Sequence, residues 1–192
     1  MRTSRFTDSP RSLAVPRLAL IALLATTASA ALSCPEGVDG HFEVTLSGAL
    51  VAAIDWQAPA LHCEGMPRPD AGGGRLRFSG ELEPGVDLAV VIGIDRLAPG
   101  VKARELPANL TLVVEGQGLF FGSMQQSHCW ADILANEPLG AQGHLVRGEI
   151  YCVRGLPQVG GGASVGITDL RFVGLLAPEA DDDDDDHASL RL

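Results

Sequence analysis

Hydrophobic and polar residues alternate along much of this chain with the two-residue period of a β-strand. Residues 42–56 are the clearest case. Phe42, Val44, Leu46, Leu50, Ala52, Ile54 and Trp56 share one parity, while His41, Glu43, Thr45 and Ser47 share the other. Successive side chains of a strand point to opposite faces, so the pattern predicts a half-buried strand with one wet face. Gly48 is the expected bulge or break into two strands.

The same reading continues downstream. Residues 57–74 carry Pro59, Pro67, Pro69 and Gly72-Gly73-Gly74 and are expected to be a loop pinned by Cys63. From Arg75 to Leu82, Leu76, Phe78 and Leu82 alternate with Arg75, Arg77, Ser79 and Glu81, which predicts a strand with one wet face. Val86 to Ile94 is more continuously apolar and is expected to be a strand covered on both faces. Leu97 to Ala108 reads as a connection; Asn109 to Glu115 and Leu119 to Met124 read as strands. Ser127 to Glu137 is the candidate for a short helix or long loop, because Trp130, Ile133 and Leu134 stand at helical spacing. Gly143 to Val153 and Ala163 to Leu176 are the last strands. In the second, apolar parity changes from Val165 and Ile167 to Leu170 and Phe172, which predicts a bulge near Thr168-Asp169.

About eight strands with turn signals between them and no long helix predict an all-β fold. The expected architecture is an antiparallel β-sandwich or small barrel, with at most one short helix near residues 128–136. Composition agrees: of 192 residues, 23 are glycine and 12 proline, and only 5% are aromatic. The 46% hydrophobic content excludes wholesale disorder, and the length fits a single domain.

The N-terminus changes the picture from fold to destination. Arg2, Arg5, Arg11 and Arg17 precede an apolar run from Leu18 to Ala25, and Ala28-Ser29-Ala30 follows. This is the pattern of a signal peptide cleaved after Ala30. The apolar run is far shorter than the roughly 20 residues a membrane-spanning helix needs, so no transmembrane segment is expected. Cys34, in Ala31-Leu32-Ser33-Cys34, is a poor fit to a lipidation site, since Ala31 and Ser33 stand where Leu and a small Gly or Ala are usual. Lipid anchoring at Cys34 is therefore the less favoured route. The mature domain is expected to run from residue 31 to 177, and residues 178–192 to be a disordered acidic tail.

All four cysteines, Cys34, Cys63, Cys129 and Cys152, follow the expected cleavage site. An even count in an exported chain implies two disulfides. Three connectivities are open; Cys34–Cys63 with Cys129–Cys152 is favoured because each closes a short loop. No close cysteine pair of the zinc-binding kind occurs, and no metal or other cofactor is expected.

The formal charge of −10 argues against a nucleic-acid partner, which would require a basic face. Loss of residues 1–30 removes four arginines and one aspartate and leaves −13, with six negatives in the run Asp181, Asp182, Asp183, Asp184, Asp185 and Asp186. That run lacks the glycine and closing glutamate of a calcium loop. Weak attraction of cations or cationic partners is what it offers.

Other candidates for chemistry are weak. Gly162-Ala163-Ser164-Val165-Gly166 matches a nucleophile-elbow pattern, but a strand follows where that motif needs a helix. In His62-Cys63 and His128-Cys129 the cysteines are expected to be oxidised, and strand neighbours face opposite ways. Asn109-Leu110-Thr111 is a glycosylation sequon placed in a strand and is read as chance. Trp56 is expected in the core, and Trp130 against the second disulfide.

The expected function is an exported, periplasmic or extracellular, non-enzymatic structural or binding module. Its partner would be an unidentified protein or small molecule. The alternatives are a barrel-type carrier of a small apolar ligand and, less favoured, a secreted hydrolase using His41 with Asp39 or His144 with Glu149.

Overall fold

The structure is a computed structural model and describes residues 34–35, 37–68, 72–123 and 128–178. The expected signal peptide and the Asp181–Asp186 run lie outside these residues. Eleven antiparallel strands form one sheet, which curls into a half-barrel. They are β1 (His41–Gly48), β2 (Ala52–Gln57), β3 (His62–Arg68), β4 (Gly73–Glu83), β5 (Val86–Ile94), β6 (Ala103–Val114), β7 (Leu119–Gly122), β8 (Cys129–Pro138), β9 (His144–Cys152), β10 (Leu156–Pro157) and β11 (Ser164–Leu176). The order across the sheet is β2-β1-β11-β9-β8-β6-β5-β4-β3, with β7 on β6 and β10 on β11.

The curl brings the two ends of this order back toward each other. The Ala177 amide, just past β11, donates to the Gly65 carbonyl of β3 at 3.1 Å. Trp56 of β2 donates through Nε1 to the Glu81 carbonyl of β4 at 3.0 Å.

The parity seen in the sequence is the inside–outside division of the sheet. Phe42 pairs with Trp56 and Val44 with Ile54 across the β1–β2 hairpin, so the even residues of both strands face inward together. An aromatic seam runs through the interior. The Phe42 ring lies 5.6 Å from Trp56 and 5.0 Å from Phe78, and Phe78 lies 5.8 Å from Phe172. Glycines make room for these rings. A Cβ added at Gly80 would lie 2.9 Å from the Trp56 ring, and one at Gly148 would lie 2.7 Å from Phe172 Cζ. Each strand glycine here is a space for a neighbouring ring, a use the sequence reading had not assigned to it.

Several expectations are corrected. Residues 128–136 are not helical: β8 spans Cys129–Pro138. Trp130, Ile133 and Leu134 share no face: Trp130 and Leu134 have the outward parity, with Leu134 44% exposed, while Ile133 is buried, and the alternation breaks only at the register shift between Ile133 and Ala135. The expected loop at 57–74 contains β3, and a two-residue strand, β10, lies between the last two expected strands. The expected connection ends early, since β6 begins at Ala103. On β5 the second face is only partly covered: Ala89 is buried, but Val91 and Gly93 are half-buried. The bulge near Thr168-Asp169 is present, with Asp169 at φ 53°, where β11 spends one more residue than β1 between paired positions.

Cys34 is bonded to Cys63, tying the segment before β1 to β3, and Cys129 to its cross-strand neighbour Cys152. Among the described residues no helix is long and apolar enough to cross a membrane.

Candidate functional site

The outward residues of the sheet build two polar grooves of different character. The first, about 600 Å³, crosses β2, β1, β11, β9 and β8 and includes Asp39, His41, Gln57, Arg147, Glu149 and Arg171 among its lining residues. Cross-strand pairing sets up a row of charges on the same sheet face, of which Arg171 and Glu149 line the groove. Asp55 pairs with Glu43, Glu43 with Arg171, Arg171 with Glu149, and Glu149 with Asp132. Four carboxylates thus flank one guanidinium. Arg171 donates through Nε to Glu149 at 3.2 Å and through Nη1 to Glu43 at 3.5 Å. The hydrogen bond to Glu149, with the charge of Glu43 beside it, raises the Arg171 pKa above its ordinary value.

His41 Nε2 lies 3.0 Å from Asp55 Oδ1, and Gln57 donates to the same oxygen at 3.2 Å. The Gln57 hydrogen bond and then the His41 contact hold the Asp55 carboxyl below the usual carboxylate range. His41 therefore takes Asp55 as its carboxylate partner, where sequence reasoning had offered Asp39. Asp39 lines the same groove. A histidine oriented by a carboxylate is half of a hydrolytic constellation. The residues lining this groove include no serine, threonine, cysteine or lysine for it to activate. The other hydrolase pair is not assembled: His144 sits at the rim opposite Pro138, and Glu149 is five positions on in β9, held by Arg171.

The second groove, about 430 Å³, lies on the outward face of β3, β4, β5 and β6. Arg68, Arg75 and Arg77 line it with Met66, Asn109 and Thr111. Arg68 donates to Asp95 at 2.6 Å, and Arg77 to Glu115 at 2.8 Å and Glu64 at 3.4 Å. Among the described residues Arg75 makes no salt bridge, and it is exposed.

A third, more apolar recess of about 610 Å³ lies at the rim, between Pro67, Leu97, Pro99, Pro138, Leu176 and Pro178. On the outside of β8 and β9, Trp130 stacks on Tyr151 with ring centroids 5.7 Å apart. Trp130 thus faces away from the disulfide it was expected to cover, because its strand neighbour Cys129 takes the inward position. Partial burial, then the charges of Glu105 and Asp132, raise the Tyr151 phenol above its ordinary value.

The remaining sequence candidates are dispersed. Ser164 is exposed at the start of β11, paired with Pro157 in strand geometry. His62 and His128 are half-buried, each beside an inward-facing disulfide cysteine. Asn109 and Thr111 face outward into the arginine-lined groove. Among the described residues no group of three or more His, Cys, Asp or Glu side chains is placed to hold a metal ion.

Sequence reasoning missed Arg147 and Arg171 in the first groove, Asp55 as the partner of its His41, and Arg68 in the second. The usable signal was the polar parity of their strands. What it lacked was the pairing order that sets those strands side by side. Comparison with protein-family models, curated proteins and solved structures finds no match to this chain.

Proposed function

We propose that this chain is an exported, disulfide-stapled β module that binds its partner on the outer face of the half-barrel. The observation that carries this reading is the packed interior. Phe42, Phe78, Phe172, Leu88, Ile92 and Leu112 are all at most 1% exposed and fill the space a carrier would give to its ligand. The polar grooves, by contrast, lie on the outer face and are open to solvent. Two disulfides support an oxidising compartment, and the basic, apolar and Ala-x-Ala segments of residues 1–30 support export.

Two measurements test this reading. The intact mass of the exported protein, taken without reductant, should equal residues 31–192 less four hydrogens. Retention of residues 1–30, or a lipid increment on Cys34, would overturn the processing. Titration of the native protein with a long-chain fatty acid should give no saturable binding. Stoichiometric binding that is lost on enlarging an inward residue would return the carrier reading.

A further inference from the structure

We infer that the Trp130–Tyr151 pair on the outside of β8 and β9 is the docking site for an arginine side chain of a protein partner. The inference rests on the reading that the outer face is the binding surface, and it names the partner chemistry that one part of that face fits.

Two rows of side chains cross the outer face next to each other. The first is apolar. Pro107 of β6 pairs with Trp130 of β8, and Trp130 pairs with Tyr151 of β9. The two rings stack with centroids 5.7 Å apart, and Tyr151 is 44% exposed. The second row lies two residues further along the strands, about 7 Å away. There Asp132 pairs with Glu149, and Glu149 with Arg171. Diagonal neighbours at that spacing are within reach of long side chains. A group lying on the rings therefore reaches the charged row.

Beside the rings the charges are not balanced. Arg171 is held by Glu149 and Glu43. Among the described residues Glu105, Asp132 and Asp169 make no salt bridge. The Glu105 amide donates to Asp132 Oδ1 at 2.8 Å, which sets Glu105 at the β6 end of the row. Asp169 lines a small recess of about 190 Å³ together with Tyr151 and Asp132. Burial, and then the charges of Glu105 and Asp132, raise the Tyr151 phenol, so both carboxylates act on its ring. The two larger grooves lack this surplus. The arginines of one are paired with Asp95, Glu64 and Glu115, and the other sets Arg147, Arg171 and His41 against Asp39 and Glu149.

The chemistry of the two rows selects the occupant. An ionised carboxylate only accepts hydrogen bonds, so the ligand must donate them. Among the described residues no three His, Cys, Asp or Glu side chains converge to hold a metal ion. The arrangement fits an organic cation, which the faces of Trp and Tyr attract through the ring quadrupole. Guanidinium fits better than ammonium, because it is planar and stacks on a ring while its N–H fork meets a carboxylate. An arginine lying on the Trp130–Tyr151 pair directs that fork to Asp132 and Glu105 in the next row. The bond from the Glu105 amide leaves Asp132 further lone pairs with which to accept it.

The test titrates the exported chain with a fluorescent tri-arginine amide, and with tri-lysine and uncharged tri-citrulline peptides of the same length. The arginine peptide should bind saturably and more tightly than the lysine peptide, and the citrulline peptide should not bind. In the unaltered chain the Trp130 indole N–H signal should move in the NMR spectrum, while that of Trp56, bonded to the Glu81 carbonyl, should stay. Tyr151→Ala and Asp132→Asn should each weaken binding roughly threefold or more. Tyr151 lies on the outer face, and asparagine keeps the acceptor that the Glu105 amide uses, so both variants should fold. Binding that survives both substitutions and is lost when Asp181 through Asp186 are replaced by asparagine is attraction to the acidic run, and it overturns the site. Equal binding of the citrulline peptide overturns the cationic class. A Trp130 signal unmoved by the arginine peptide overturns the inference altogether. None of these outcomes removes the outer-face reading, which falls only if a ligand is bound in the interior.

Discussion

The two walls of the half-barrel are filled by different means. Where β1, β2 and β11 face β4, the interior is aromatic, and it depends on glycines that leave room for rings. Trp56 lies over Gly80, and Phe172 over Gly148. Along β5 and β6 the inward positions are aliphatic, among them Leu88, Val90, Ile92, Leu110 and Leu112, and the wall packs in ordinary alternation. The glycine of that wall, Gly93, points outward, and a Cβ there would meet nothing closer than 3.7 Å. The same residue type is therefore indispensable in one wall and replaceable in the other. The difference lies in what crosses over it, which local sequence does not record.

The sharpest break of this contrast is at the centre of the seam. Phe78→Ala removes the ring that touches both Phe42 and Phe172 and should cost about 3–5 kcal/mol, measured by urea denaturation. Ile92→Val, in the aliphatic wall, should cost only about 0.5–1.5 kcal/mol. Removing Cys34–Cys63 as a double alanine variant should come next. It frees the segment that packs beside Gly40 and should cost about 2–4 kcal/mol. Gly80→Ala and Gly148→Ala should each cost about 1–3 kcal/mol, because the added methyl meets a packed ring. Gly93→Ala should be neutral or stabilise by up to about 1 kcal/mol, through a less flexible unfolded chain. Equal melting-temperature shifts for Gly80→Ala and Gly93→Ala would erase the distinction between the walls.

The smallest effect is on the surface. The Asp55 carboxyl is held below its usual range in the folded chain, chiefly by Gln57 and then by His41. A group with a lowered folded pKa adds stability above its unfolded value, about 3.9, and that stability is lost as pH falls through the folded value. Asp55→Asn should therefore slightly lower the neutral-pH melting temperature and flatten its fall below about pH 4, so that the two chains converge in acid.

Much of the fold was legible because inward and outward residues alternate. The strands β1, β2, β4, β5, β9 and β11 follow their parity, and the bulge at Asp169 follows from a parity change. Two strands were hidden for identifiable reasons. In β8 apolar residues stand on both faces, Trp130 and Leu134 outward and Ile133 inward, and their spacing imitates a helical face, while the register shift after Ile133 cuts the alternation short. In β3 the positions alternating with Glu64 and Met66 are Cys63, Gly65 and Pro67, a mixture that reads as turn. Pro67 is tolerated because β3 ends the strand order, where a missing amide breaks no central ladder. The candidate grooves were less legible. The wet face of Arg75 and Arg77 was visible, but Arg68 joins them only through the β3–β4 pairing. The Arg171–Glu43 contact spans 128 residues of sequence.

What the amino-acid sequence determined by itself was local: the period-two alternation, the turns at glycine and proline, the even set of cysteines and the acidic run at the C-terminus. These follow from backbone sterics and from which side chains leave water, and both act on neighbouring residues. Only the tertiary structure decided which strands lie side by side, which glycine lies beneath a ring, and which arginines share a groove. Those relations depend on hydrogen-bonded register and on the curl of the whole sheet. Register is settled by the burial of all the inward faces at once, so no single segment encodes it.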